Sequence, residues 1–114
     1  MHNYSMLHSN DFGFIGQCNS CGDFQLGMGN VVIVLSREEL YQLGKSINVI
    51  QKKLEDNTIK ELTYPLLDGR TILLKSPADE MMLSFYQAEL RSLNDLLNMS
   101  SVLLEAKEIL LDVN

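Results

Sequence analysis

Basic residues are scarce, and that narrows the chain first. It carries 9 Lys and Arg against 15 Asp and Glu, for a net charge of −6, and nowhere gathers bases into a strip that would neutralise phosphates. Nucleic acid is therefore not an expected partner. No window approaches the apolar run of about 18 residues that a membrane span needs, so no membrane is expected either. The opening MHNYSMLHSN has neither the basic nor the apolar block of a secretory signal. The expectation is a cytoplasmic protein whose surface thiols stay reduced. A phosphate-cradling loop is missing, because Gly27-x-Gly29 is not followed by a helix start. Histidine is limited to His2 and His8, both near the start, so a serine nucleophile further along has no base beside it. Carboxylates are plentiful, but no spacing sets two of them in a recognisable acid–base pair. Catalysis is not the expected role, and no catalytic residue is assigned.

What is present describes an ordinary folded protein. With 114 residues, 46% hydrophobic and 21% charged, the chain can bury a core as a single domain over 1–114 without a disulfide or metal. Its charge is uneven. From Ser76 onward there are seven acids against Arg91 and Lys107, while the first 75 residues are nearly neutral.

The unusual stretch is 13–30, GFIGQCNSCGDFQLGMGN, which holds both cysteines and five of the seven glycines. Residues 12–17 and 23–28 alternate apolar and polar positions, with Phe24, Leu26 and Met28 on one face. They predict a hairpin with Cys18-Asn19-Ser20-Cys21-Gly22 at its tip, Gly22 suiting a position of positive φ. A thioredoxin-like Cys-x-x-Cys opens a helix, whose amides sharpen the first thiol. Here an extended segment follows, so no helix dipole is expected behind Cys18. The context suits one knuckle of a zinc ribbon better. Structural zinc takes four ligands, and a second Cys-x-x-Cys is missing from the chain. Cys18, Cys21 and His8 are the candidate metal ligands, with Asp11, His2, Asp23 or a second subunit completing the set. Inert structural thiols, zinc binding and thiol redox chemistry all remain open at this point.

Gly13-Phe14-Ile15 ahead of Cys18-x-x-Cys21-Gly22, followed by Phe24-x-Leu26-x-Met28-Gly29-Asn30 and an aliphatic strand, resembles a family of small uncharacterised bacterial proteins. That family begins with a G-[FY]-[IV]-x-x-C-x-x-C-G strand–knuckle–strand pattern. The likeness covers about residues 13–50, and Met28 stands where the family has phenylalanine. The resemblance implies no activity; it marks the knuckle and the Gly29-Asn30 turn as family features.

The remainder reads as scaffold. Residues 31–35, VVIVL, predict a strand in the middle of the sheet with both faces covered. Ser36-Arg37-Glu38-Glu39 is a capping box, and Leu40, Leu43, Ile47, Ile50 and Leu54 form one stripe, predicting a helix over 37–55. Residues 58–67 and 70–75 predict strands joined by Asp68-Gly69, with Pro65 marking an edge. Ser76-Pro77 starts another helical stretch, free of glycine and proline from Ala78 to the end. Its apolar register shifts at Asn98-Met99-Ser100-Ser101, which favours helices over 77–97 and 100–112 over one long helix that pairs with its copy.

The fold expected is α+β: a two-layer domain with a mainly antiparallel sheet, helices on one face, and residues 1–10 as a flexible arm. The function expected is a non-enzymatic interaction or regulatory module, partnered by another protein or a second copy through the C-terminal helices. Its knuckle would be structural or half of a zinc site. The alternative is a redox-responsive thiol protein using Cys18 and Cys21.

Overall fold

The sequence alternation of the first third becomes a four-stranded antiparallel meander. The computed structural model describes residues 3–56, 70, 72–78 and 80–112. Strands β1 (Tyr4–Ser9), β2 (Gly13–Cys18), β3 (Phe24–Met28) and β4 (Val31–Leu35) pair in that order. Helix α1 (Arg37–Glu55) follows, then a two-stranded sheet of β5 (Ile72–Lys75) and β6 (Met82–Phe85), then helix α2 (Gln87–Asp112). The α+β class expected from the sequence is the one found. Both helices pack on the meander, α2 against β1 and β2 and α1 against β4, and they also pack on each other.

Local chemistry explains the connections. Between β1 and β2 the Asn10 carboxamide accepts from the amides of Phe12 (2.9 Å) and Gly13 (3.1 Å), an Asx turn. The same side chain donates to the Ser92 carbonyl at 2.9 Å, tying the turn to α2. Gly29, at φ +60, and Asn30 form the two-residue turn between β3 and β4. Ser36 caps α1 with the complete box: Glu39 N donates to Ser36 Oγ (3.2 Å) and Ser36 N to Glu39 Oε1 (2.8 Å).

Ile15, Phe24, Leu26, Ile33 and Leu35 of the meander meet Leu43 and Ile47 of α1 and Leu90, Leu93 and Leu97 of α2 in the core. On the other sheet face the ring of Phe14 lies across Gly27. A Cβ at Gly27 would sit 2.0 Å from Phe14 Cε1, so only glycine admits the ring.

Several expectations are corrected. Residues 4–9 were expected in a flexible arm but form β1; a bulge between Met6 and His8 breaks the two-residue period that would have announced a strand. Strand β4 was expected in the middle of the sheet and ends it instead. Ile33 and Leu35 are buried while Val32 and Val34 are 53% and 50% exposed, so a wholly apolar run has one wet face. The helix expected from residue 77 begins at Gln87. Ser76 Oγ accepts from Ala78 N (3.3 Å) and Ser76 N donates to the Met81 carbonyl (2.9 Å), closing a turn rather than capping a helix. Leu83 and Phe85 then alternate inward on β6, opposite Leu74 and Ile72. Helix α2 starts where the Glu89 carboxylate accepts from Tyr86 N at 2.8 Å, and Arg70 clasps that carboxylate at 3.0 and 3.2 Å.

The expected break at 98–101 is also absent: α2 is one helix of 26 residues. Serine and asparagine cost only about 0.5 kcal/mol each against alanine in a helix, which packing easily overrides. Ser100 is buried here, and α1 lies against α2. At 1.5 Å per residue α2 is about 39 Å long, and only the 49 Å dimension of the 49 × 30 × 23 Å molecule accommodates it. The strand expected over 58–67 and its Asp68-Gly69 turn lie outside the described residues, as does His2. Among the described residues no helix is long and apolar enough to cross a membrane.

Candidate functional site

The two thiols sit where β2 ends. The Cys18 amide donates to the Asp23 carbonyl at 2.7 Å, closing the loop before β3, and the Gly22 amide donates to the Cys18 carbonyl at 3.2 Å. That second bond spans i to i+4, so residues 18–22 make a single helical turn that goes no further. Gly22, at φ +79, leaves it in the left-handed conformation.

Within that turn the Cys18 side chain occupies the place of an N-cap. The Cys21 amide donates to Cys18 Sγ at 3.2 Å, and the Ser20 hydroxyl lies 3.3 Å from the same sulfur. No helix follows, as the sequence suggested; yet the backbone amide that was not expected behind Cys18 is there. One turn is enough to aim it.

The electrostatics divide the pair. The Cys18 thiol is lowered to about 5, chiefly by the hydrogen bond from the Cys21 thiol and then by the Ser20 hydroxyl; burial opposes this, and the amides of Cys21 and Ser20 add to it. The Cys21 thiol is raised, mainly because it donates to Cys18, while the Asp23 amide pulls the other way. Cys18 is buried and Cys21 exposed, and the two sulfurs are not joined. The arrangement is a thiolate held by a neighbouring thiol. Tyr4, opposite Cys18 on β1, has its hydroxyl pushed up by burial and then by the charge on the two sulfurs.

One wall of the site comes from far along the chain. A cleft of about 540 Å³ runs between the cysteine turn and Leu104, Lys107 and Glu108 of α2, and Cys18 and Cys21 both line it. Lys107 Nζ donates to Gln17 Oε1 at 3.3 Å, which places a cation at its edge. Neither Tyr4 nor Lys107 was singled out from the sequence. Lys107 lies 90 residues from Gln17, and nothing local foretells that meeting.

The candidate metal set does not assemble among the described residues. His8 pairs with Ile15, three residues back along β2 from Cys18, hence about 10 Å away along the strand at ~3.3 Å per residue. Asp11 belongs to the β1–β2 turn at that same far end. Asp23 is at the knuckle, but its amide and carbonyl are the groups engaged there. No group of three or more His, Cys, Asp or Glu among the described residues is placed to hold a metal ion.

The model of DUF6686, a family of unknown function, matches residues 1–113. The resemblance expected over 13–50 was to an uncharacterised family, and this match extends over the C-terminal half as well. No curated protein and no solved structure matches the chain.

Proposed function

We propose, for a chain that belongs to the family DUF6686, that it is a small cytoplasmic regulatory or interaction module whose Cys18–Cys21 turn responds to thiol–disulfide chemistry. The observation that carries this is the Cys21 amide donating to Cys18 Sγ at 3.2 Å within a one-turn cap. It supports a standing thiolate in hydrogen-bond contact with a second thiol, so the chemistry needs no ligand from elsewhere.

The oxidant is a low-molecular-weight disulfide. The Cys18 thiolate attacks one of its sulfurs across the cleft, forming a mixed disulfide and expelling one thiolate. Cys18 then no longer carries charge, so the main cause holding the Cys21 proton disappears. Cys21 ionises and attacks the Cys18 sulfur, forming the intramolecular bond and releasing the second thiolate. The Cys18 thiolate and the Cys21 thiol are oxidised to one disulfide, the external disulfide is reduced to two thiolates, and the single proton released from Cys21 goes to solvent or to one of those thiolates.

Titration against glutathione buffers followed by mass spectrometry tests it. The expected result is loss of two hydrogens with a midpoint between about −300 and −120 mV, abolished in Cys18→Ser and in Cys21→Ser. A chain that stays a dithiol across that range sinks the reading.

A second reading is favoured by a specific feature: each sulfur receives a backbone amide, Cys18 from Cys21 and Cys21 from Asp23, and Gly22 takes positive φ. That pattern suits two thiolates presented to zinc, the other ligands coming from a second copy. Stoichiometric zinc in protein prepared without chelator, with dimers that dissociate on chelation, is its expected signature; metal-free monomer rules it out. The interaction role rests on Val102, Ile109 and Leu110, exposed on the C-terminal half of α2. A concentration-independent monomer mass would remove self-association from it.

A further inference from the structure

A second cleft, of about 360 Å³, lies between α1, α2 and β1, and of its lining residues only Leu104 also borders the cysteine cleft. We propose that it binds a small amphipathic carboxylate, with the apolar body on Leu7, Leu40, Leu97 and Leu104 and the carboxylate near Lys45 and Ser100. The size falls at the small end of ligand pockets, about 300–1,000 Å³, and an apolar floor with a few polar groups is their usual lining.

Three observations converge on this ligand. The first is charge. Two cations line the cleft, Arg37 and Lys45. Arg37 is neutralised by an ion pair with Glu108. Lys45 has no ion pair among the described residues, an uncompensated positive charge on a protein of net charge −6.

The second is an unsatisfied hydroxyl. Ser100 is 2% exposed, and its Oγ has no hydrogen-bond partner. Buried hydroxyls without partners are uncommon and call for an acceptor or donor from outside the chain. A carboxylate oxygen is such an acceptor.

The third is Gly44. It stands in the interior of α1, where glycine is a poor helix former, and it lines the cleft. A Cβ there would meet nothing within 4 Å. Packing therefore does not demand glycine at this position, and neither does a positive φ. What glycine does is keep the space open.

The probe is sodium octanoate, titrated into ¹⁵N-labelled full-length chain, with octan-1-ol and octylammonium as controls. Octanoate is expected to saturate shifts of amides in residues 40–48 and 97–104, and octan-1-ol to bind about ten-fold more weakly. Gly44→Leu fills the cleft and abolishes binding. Lys45→Glu, an exposed substitution that leaves packing alone, weakens octanoate at least about ten-fold and lets octylammonium bind instead. Octanoate that shifts no cleft amide overturns the inference, as does octan-1-ol binding equally well. So does affinity retained in Gly44→Leu whose amide spectrum shows an intact fold, or retained in both Lys45→Glu and Ser100→Ala.

Discussion

The amide of Cys21 points at the sulfur of Cys18 from 3.2 Å, three residues on, in the position from which a helix amide meets its N-cap side chain. A β-hairpin tip thus reproduces, with one turn of backbone, the donor that redox proteins take from a whole helix. Cys21 adds its thiol proton to the same sulfur, and this is the largest influence on it.

The titration of Cys18 follows from that geometry. A thiol lowered to about 5 is a thiolate at pH 7. Thiolate absorbance near 240 nm is therefore expected at neutral pH and disappears as pH falls through about 5. In Cys21→Ala the strongest donor is gone, so the midpoint moves up toward the ordinary thiol value of about 8.5. Absorbance in that variant still falling away near 5 would assign the shift to the wrong group.

Gly27→Ala forces the Phe14 ring off the sheet, because the new methyl would overlap Phe14 Cε1 at 2.0 Å. Overpacking of this kind costs about 1–3 kcal/mol. Urea unfolding should show that loss, and Gly27→Ala combined with Phe14→Leu should recover part of it. No loss in the single variant would mean the ring sits elsewhere.

Ser36→Ala removes the side-chain half of the box that begins α1, leaving the Glu39 amide without its acceptor. The expected cost is about 1 kcal/mol. Ser36→Asp, which can still accept from that amide, should restore most of it in the same denaturant assay.

Met99→Pro distinguishes one long helix from two short ones. Met99 is 45% exposed, so little packing is lost, but a proline in a helix interior costs about 3 kcal/mol or more. Were residues 98–101 a break between helices, a proline there would be nearly harmless. Circular dichroism during thermal unfolding reads the difference directly.

Much of the frame was legible because local chemistry writes it. The Ser36 box, the stripe through Leu43 and Ile47 and the Gly29-Asn30 turn each depend on residues a few positions apart, and each stands where the sequence put it. The cysteine turn was legible as a hairpin tip for the same reason. β1 was hidden by its own bulge, which erases the period of two on which a strand is recognised. β6 was hidden because Met81 to Tyr86 fits a helical register as readily as an alternating one. Only Leu83 and Phe85 being buried, opposite Leu74 and Ile72, decided for a strand.

By itself, then, the sequence determined the class of fold, the Ser36 cap, the Gly29-Asn30 turn, and where the thiols would lie. Those features rest on interactions within a turn or two of chain, whose energies do not depend on the rest of the molecule. Only the tertiary structure decided which face of β4 is wet, that α2 runs unbroken past Ser100, and that Lys107 stands beside a cleft lined by Cys18. Such outcomes are set by which distant apolar surfaces meet, and burial has no direction along the chain from which to read them in advance.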